Sequence, residues 1–413
     1  MDFTPLHRAL GVEPCPLSDE LLDDAVAARV AETADLDWKS RLPRTRGLTE
    51  TDFPKDVAAM ANSGGGLIVY GVEERQRSAV RRVDVGDLDE ANERSLRQAA
   101  YSAISPPVLN LLVHRIGTEP NRAVVLEVPA SSASPHLIFK NECFAAPMRN
   151  GADTFWMNES QIAAMYRGRF EESRRATEAL GALFDDALDG RNTERQAWFI
   201  GVARPRIPRL IGALNQNQAQ RVFCGASAMA PTFTCDVDSR PLVHVDCLNP
   251  RPGLRRWVAP SAAKDLVQRY FETWASVHHD GSVSLATIVG QPFAPGGSDS
   301  DPWRARSSAI EIAVADLMAL IRSNAMTTIN DEYDLRVGIS WGGRGPLYFE
   351  TMDSIGQPTI AGSIPMHRYS PVDTTVNARV SDTDYGRSVY LLAQDCVNQG
   401  GVSELRKIIK HGT

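Results

Sequence analysis

Apolar and polar positions fall along this chain in blocks that predict alternating helices and strands. Residues 53–74, FPKDVAAMANSGGGLIVYGVEE, predict a helix, a glycine turn, a buried strand and a pair of acids. Asp52 is placed to cap that helix, and Val57, Ala58 and Met60 give it an apolar stripe. Asn62, Ser63 and the three glycines 64–66 end it, since glycine accepts the positive φ of a sharp C-terminal turn. Leu67, Ile68, Val69 and Tyr70 form an unbroken apolar run of strand length, after which charge returns at Glu73 and Glu74.

The flanking pattern continues in the same way. Residues 1–31 read as helical, with Ser18 as N-cap, Glu20 and Asp23 in the first turn, and Leu21, Leu22, Ala25, Val26 and Val30 on one side. A strand follows at 37–39. Residues 88–104 read as a helix stopped by Ser105-Pro106-Pro107, and 108–116 and 123–128 as strands joined by a turn at 117–121. A long helix starts at Asn158 and runs to about residue 188, and 185–195 reads as a polar linker. Beyond it, 197–202, 241–247, 255–258 and 283–289 predict strands, 291–302 a loop, and 310–323 an amphipathic helix. Residues 335–341 and 346–352 predict a hairpin across Gly342-Gly343-Arg344-Gly345, and a helix near 388–397 precedes a basic tail. The expected fold class is α+β in three parts: an N-terminal helical extension (1–25), a first domain (26–185) and a second mixed α+β domain (196–413).

At 413 residues the chain exceeds one ordinary core, in keeping with two domains. The formal net charge of −7 excludes a basic nucleic-acid coat, so any such binding needs a local basic face. No apolar run approaches the roughly 20 residues of a membrane helix. The start MDFTPLHRAL lacks the marks of a signal peptide, which predicts a cytoplasmic protein without a membrane partner. The six cysteines are scattered and form no C-x-x-C pair, as expected of reduced thiols. Cys224, Cys235 and Cys247 near His244 match no standard zinc spacing. A nucleotide P-loop is excluded at 64–66, because the helix comes first, the strand second, and no Lys-Ser/Thr follows. The turn amides remain candidates for a shallow anion nest. His278-His279-Asp280-Gly281 reads as a hairpin turn, since neighbouring strand residues face opposite ways.

Four blocks occur in order: Ala31 to Lys39 (AETADLDWK), residues 53–74, Ser134-Pro135-His136, and Met148-Arg149-Asn150-Gly151 followed by Thr154. Together they resemble the Schlafen/AlbA_2 family over about residues 26–170. Asp37 and Trp38 stand where that family usually has glutamate and phenylalanine, and Glu73 and Glu74 stand for aspartates. The resemblance implies a nucleic-acid-processing protein, with RNA favoured over DNA and structured RNA such as tRNA as substrate. It also implies an acidic trio, as in the family's ribonuclease members. Here that trio is Glu32, Asp37 and one of Glu73 and Glu74, with Glu74 favoured. Glu32, Asp37 and Glu74 would then hold Mg²⁺ or Mn²⁺, hard cations that prefer oxygen ligands.

Lys39 shares a strand face with Asp37 and either pairs with it or touches a phosphate. Arg149 is either a phosphate contact or a partner of Asp153. On the long helix, Arg167, Arg169, Arg174 and Arg175 either pair with Glu171, Glu172 and Glu178 or form a basic rim for nucleic acid. His136 is expected to hydrogen-bond a neighbouring turn. Two other functions fit the same residues: a non-catalytic nucleic-acid-binding or regulatory protein, and an interaction scaffold. The sequence allows an oligomer.

Overall fold

The computed structural model describes residues 4–44, 46–140, 143–206, 214–236, 239–262, 272–294, 301–328 and 332–410. The chain divides into two compact units, 1–173 and 174–413.

The first unit contains α1 (Pro5–Leu10), α2 (Asp19–Ala27), β1 (Leu36–Lys39), α3 (Phe53–Asn62), β2 (Gly66–Tyr70), β3 (Val72–Arg75) and β4 (Ser78–Arg82). These are followed by α4 (Glu90–Ser102), β5 (Ile104–Ser105), β6 (Leu112–Ile116), β7 (Ala123–Val128), β8 (Leu137–Lys140), β9 (Cys143–Ala145), β10 (Pro147–Asn150) and β11 (Asp153–Trp156). Its central sheet has the order β1-β2-β7-β6, with β1 and β2 parallel and the other pairs antiparallel. α3 is the crossover between the two parallel strands.

β2 is buried on both faces, which explains its unbroken apolar run. Ile68 and Tyr70 join Phe53, Val57 and Met60 of α3 and Leu96 of α4 in one core. Leu67 and Val69 join Leu36, Trp38, Leu6, Leu21 and Leu22 in the other. α1 and α2 therefore cover the second face of the sheet. The same alternation along β1 sends Leu36 and Trp38 towards α1 and α2, and Asp37 and Lys39 to the face on which α3 lies.

α5 (Glu159–Leu188) runs through the boundary between the units, so the linker expected from 185 onward begins inside a helix. The second unit continues with β12 (Ala197–Pro205), α6 (Gln216–Met229), β13 (Arg251–Gly253), β14 (Arg256–Ala259), β15 (Thr273–His278), β16 (Val283–Pro292) and β17 (Trp303–Arg306). It ends with α7 (Ser307–Thr328), β18 (Glu332–Ser340), β19 (Leu347–Met352), β20 (Pro358–Thr359), β21 (Val372–Asn377) and α8 (Asp382–Asn398). The main path of its large sheet is β13-β14-β15-β16-β12-β18-β21. α7 is buried along most of its length in a core with α6 and α8. On the opposite side, Leu180 and Ala187 of α5 pack with Trp198, Ile200 and Val202.

Three local expectations fail in this unit. Residues 241–247 are not a strand. Pro241–His244 form a 3-10 turn whose Leu242 amide donates to the buried Asp316 Oδ2 at 2.6 Å. β18 and β19 are not a hairpin, because β18 lies between β12 and β21 while β19 pairs in parallel with β17. The Gly342 amide donates instead to Thr193 O, and Gly343 lies against Trp303. The loop expected at 291–302 starts later than drawn, since β16 continues to Pro292, and residues 295–300 lie outside the described set. The 278–281 segment is the turn expected, with the Gly281 amide donating to His278 O.

Candidate functional site

A cleft of about 480 Å³ in the first unit gathers most of the charged residues singled out above, including Glu32, Asp37, Lys39, Glu73, Glu74 and Arg149. Lys55, Asp56 and Arg77 also line it.

The local chain explains each placement. Asp37 and Lys39 stand two residues apart on β1, on the side where the first turn of α3 brings Lys55 and Asp56. Glu32 is fixed by the β3–β4 turn, its amide donating to Arg77 O at 2.7 Å, while its Oε1 accepts from the Trp38 amide at 3.0 Å. That turn carries Gln76 and Arg77 at φ 52° and 61°, and Glu74 Oε2 accepts from the Arg77 amide at 2.8 Å. The β3–β4 register shifts between Glu73 and Glu74. Strict alternation breaks there, and both acids line the cleft, where only one of the two was expected in the trio. Glu73 pairs with Arg81, and its side chain is 44% exposed.

Asp37 is the centre of the network. Its side chain is only 5% exposed. Arg149 Nη1 donates to its Oδ1 at 2.8 Å, and Lys39 Nζ lies 2.7 Å from its Oδ2. Arg149, 3% exposed, also donates to Thr33 O at 3.0 Å. It stands in the wall of the cleft, tied to β1. Asp153 pairs with Arg77 instead. The other two arginines assigned to nucleic acid lie outside the set that lines the cleft: Arg169 donates to Ala133 O at 3.1 Å, and Arg167 is exposed on α5.

Burial and charge tune the remaining groups. Burial raises the Glu32 carboxyl above its usual range; the Trp38 amide opposes this, and the charges of Asp37 and Glu74 add to it. Burial also raises Asp56, against the pull of Lys39 and Lys55. For Lys39, burial acts downward but is outweighed by Asp56 and Asp37, so the ammonium is held more firmly protonated than usual.

Carboxylate oxygens are suitable donors for Mg²⁺ or Mn²⁺. Among the described residues, however, no group of three His, Cys, Asp or Glu side chains stands where one ion could be held. Asp37 is committed to two cations of the protein itself. The trio Glu32, Asp37 and Glu74 thus shares a cleft without closing on a point, and it does not fit the expected ion. The Cys224, Cys235, Cys247 and His244 group likewise forms no such site, and Cys224 Sγ donates to Cys247 O.

Several residues around the cleft are structural. Asn62 was read only as a helix terminator. Its Nδ2 donates to His136 O and Pro147 O at 2.9 and 2.8 Å, and its Oδ1 accepts from the His136 amide at 2.7 Å. His136 is fully buried with Nδ1 2.7 Å from Pro106 O, the structural role expected of it. The Gly65 amide donates to Met60 O, which removes it from any anion nest. Lys55, Asp56 and Arg77 were missed because their place in the cleft depends on contacts far along the chain. The one local signal was Asp56, a charged residue inside the apolar stripe of α3.

The family model described as "Schlafen, AlbA_2" matches residues 32–158, the span that holds the whole cleft. Residues 32–158 are a Schlafen/AlbA_2 domain. The fold class is accordingly mixed α+β, with the Schlafen/AlbA_2 domain followed by a unit built on a large, mainly antiparallel sheet with helices. No curated protein matches the chain. Among solved structures, the crystal structure of the DIP2311 protein from Corynebacterium diphtheriae is 14% identical, with a TM-score of 0.26, over 51% of this chain and 33% of that one. The chain thus spans a third of that protein's length. A solution structure of the N-terminal domain of a putative ATP-dependent DNA helicase RecG-related protein from Nitrosomonas europaea is 22% identical. It has a TM-score of 0.22 and overlaps 34% of this chain and 93% of that domain. No described helix is long and apolar enough to cross a membrane.

Proposed function

We propose that the Schlafen/AlbA_2 cleft binds and cleaves a nucleic-acid backbone, with structured RNA as the substrate. The observation that carries this reading is the convergence of Glu32, Lys39, Lys55, Glu74 and Arg77 in one cleft of that domain. Cations fixed beside carboxylates are what a phosphodiester site needs: positive charge for the non-bridging oxygens and a base for the attacking oxygen. Glu32 suits the second role. It is half-buried, its carboxyl is raised, and its Oε2 takes no partner among the described residues. In hydrolysis the attacking water passes its proton to Glu32, a new P–O bond forms, and the bond to the leaving oxygen breaks. Lys39 and Arg77 face the phosphate charge that this step concentrates.

The test is incubation of end-labelled tRNA and of an unstructured RNA with the purified chain, in EDTA, Mg²⁺ and Mn²⁺ separately. Cleavage in any of the three supports the reading, and the pattern among them states the ion requirement. A second reading, binding without cleavage, is favoured by the commitment of Asp37 to Arg149 and Lys39. Salt-dependent retention of RNA with no cut strand in any condition would select it.

A further inference from the structure

Asp56 lies inside the 53–74 block but has no role in the acidic trio that the resemblance implies, yet it stands in the middle of the cleft's charge network. Its side chain is 10% exposed. Its two carboxylate oxygens face two different lysines: Oδ2 lies 3.7 Å from Lys39 Nζ, and Oδ1 lies 3.6 Å from Lys55 Nζ. Lys39 in turn lies 2.7 Å from Asp37 Oδ2, and Lys55 lies 3.1 Å from Asp52 Oδ1. Positive and negative groups therefore alternate from Arg149 through Asp37, Lys39, Asp56 and Lys55 to Asp52. The chain of charges crosses from β10 through β1 to α3.

A buried carboxylate beside a phosphate-binding surface needs a reason, because by itself it repels the ligand and loses hydration. The geometry gives one. Lys39 has a long flexible stem and a side chain 37% exposed, so Asp37 alone holds its ammonium from one side only. Asp56 holds it from a second element. We propose that Asp56 is a positioning residue: with Asp37 it fixes the Lys39 ammonium, and through its other oxygen it spaces Lys55, so that two cations meet the phosphates of one nucleic-acid strand in a set arrangement. This rests on the reading of the cleft as a nucleic-acid site.

Positioning and plain electrostatics predict opposite signs, which makes the inference testable without catalysis. Removing a negative charge from the cleft should strengthen binding of a polyanion if Asp56 does nothing else. If Asp56 positions Lys39, Asp56→Asn should weaken it. The measurement is the affinity of the intact chain for a labelled tRNA in EDTA, for the parent, Asp56→Asn, Asp56→Glu, Lys39→Gln and the Asp56→Asn/Lys39→Gln pair, with melting temperatures recorded alongside. The expected result is binding roughly fivefold weaker for Asp56→Asn and partial recovery in Asp56→Glu. In the Lys39→Gln background Asp56→Asn should have little further effect, the mark of residues acting through one another. Unchanged or tighter binding by Asp56→Asn, or an equal loss with and without Lys39, overturns the inference and leaves the cleft's function standing. Should Asp56→Asn prove unfolded, Asp56→Glu decides: binding weaker than the parent's at the parent's melting temperature, with no further loss when Asp56→Glu is placed in the Lys39→Gln background, supports positioning, and parent-like binding contradicts it. Failure of the parent chain itself to bind RNA overturns the reading of the cleft, and this inference with it.

Discussion

The Asp37–Arg149 pair is almost closed to water, with side chains 5% and 3% exposed. A charge at such depth is tolerated only when matched, and removal of one partner leaves the other unsolvated. Arg149→Met should therefore lower stability by about 3 kcal/mol, read as a shift in the denaturant midpoint. Asp37→Asn added to it should recover part of the loss. No loss in Arg149→Met would show that the pair is not buried as described. At this scale the sequence disclosed most of the residues that meet but not what each does. Glu32, Asp37, Lys39, Glu73, Glu74 and Arg149 were all singled out and all line one cleft. The pairing of Arg149 with Asp37 was not legible, because burial depends on strands and helices that residue types do not reveal. Asp56 was overlooked for the same reason, since its partner Lys39 is on another element.

At the scale of elements, the turn between α3 and β2 is the most demanding piece of backbone in the domain. Gly65 has φ +85°, and a Cβ there would sit 2.6 Å from Ala130 N. Strain and overlap together predict that Gly65→Val costs about 3 kcal/mol or more. An unchanged melting temperature would contradict this. That turn, α3, β1, β2 and β7 were legible from sequence because period and punctuation agree locally. The mistaken elements fail for non-local reasons. Residues 241–247 read as a strand by composition, but Asp316 on α7 takes the Leu242 amide and the segment coils into a 3-10 turn. The supposed hairpin at 335–352 dissolves because β18 and β19 each find better-placed partners in the large sheet. Asp52 is the N-cap residue of α3, as predicted, but its side chain makes no capping bond, and Lys55 lies near it.

At the scale of the whole molecule, two units with separate cores carry separate electrostatic loads. In the second unit, burial pushes the Asp316 carboxyl up to about 7 from a usual 3.8. The native state then holds this proton up to about pH 7, while the unfolded chain releases it near pH 4. Between those values the native state binds more protons, so Asp316 makes stability fall as pH rises. Asp316→Asn, neutral throughout, should gain on the parent from pH 4 to pH 7 and hold a constant lead above that. Parallel stability profiles for the two proteins would refute the assignment. Because Asp316 and Arg149 lie in different units, the effects of Asp316→Asn and Arg149→Met should add within about 0.5 kcal/mol. The division into a first domain and a mixed α+β remainder was visible in sequence, since the motif blocks all precede residue 158. What the second unit acts on was not, because its conspicuous residues, such as Asp316 and Glu311, are spent on holding its own turns and tail.

The central claim is that the Schlafen/AlbA_2 cleft works on an RNA backbone with Glu32 as its base. The most direct measurement is single-turnover cleavage of end-labelled tRNA by the parent and by Glu32→Gln, at equal RNA occupancy and neutral pH, in whichever ion condition supports the parent. Glu32→Gln keeps the side chain's size and loses its basicity. The account predicts that it binds tRNA like the parent and cleaves it at least a hundredfold more slowly, on the order of the loss when a general base is removed. Parent-like cleavage by Glu32→Gln would contradict it.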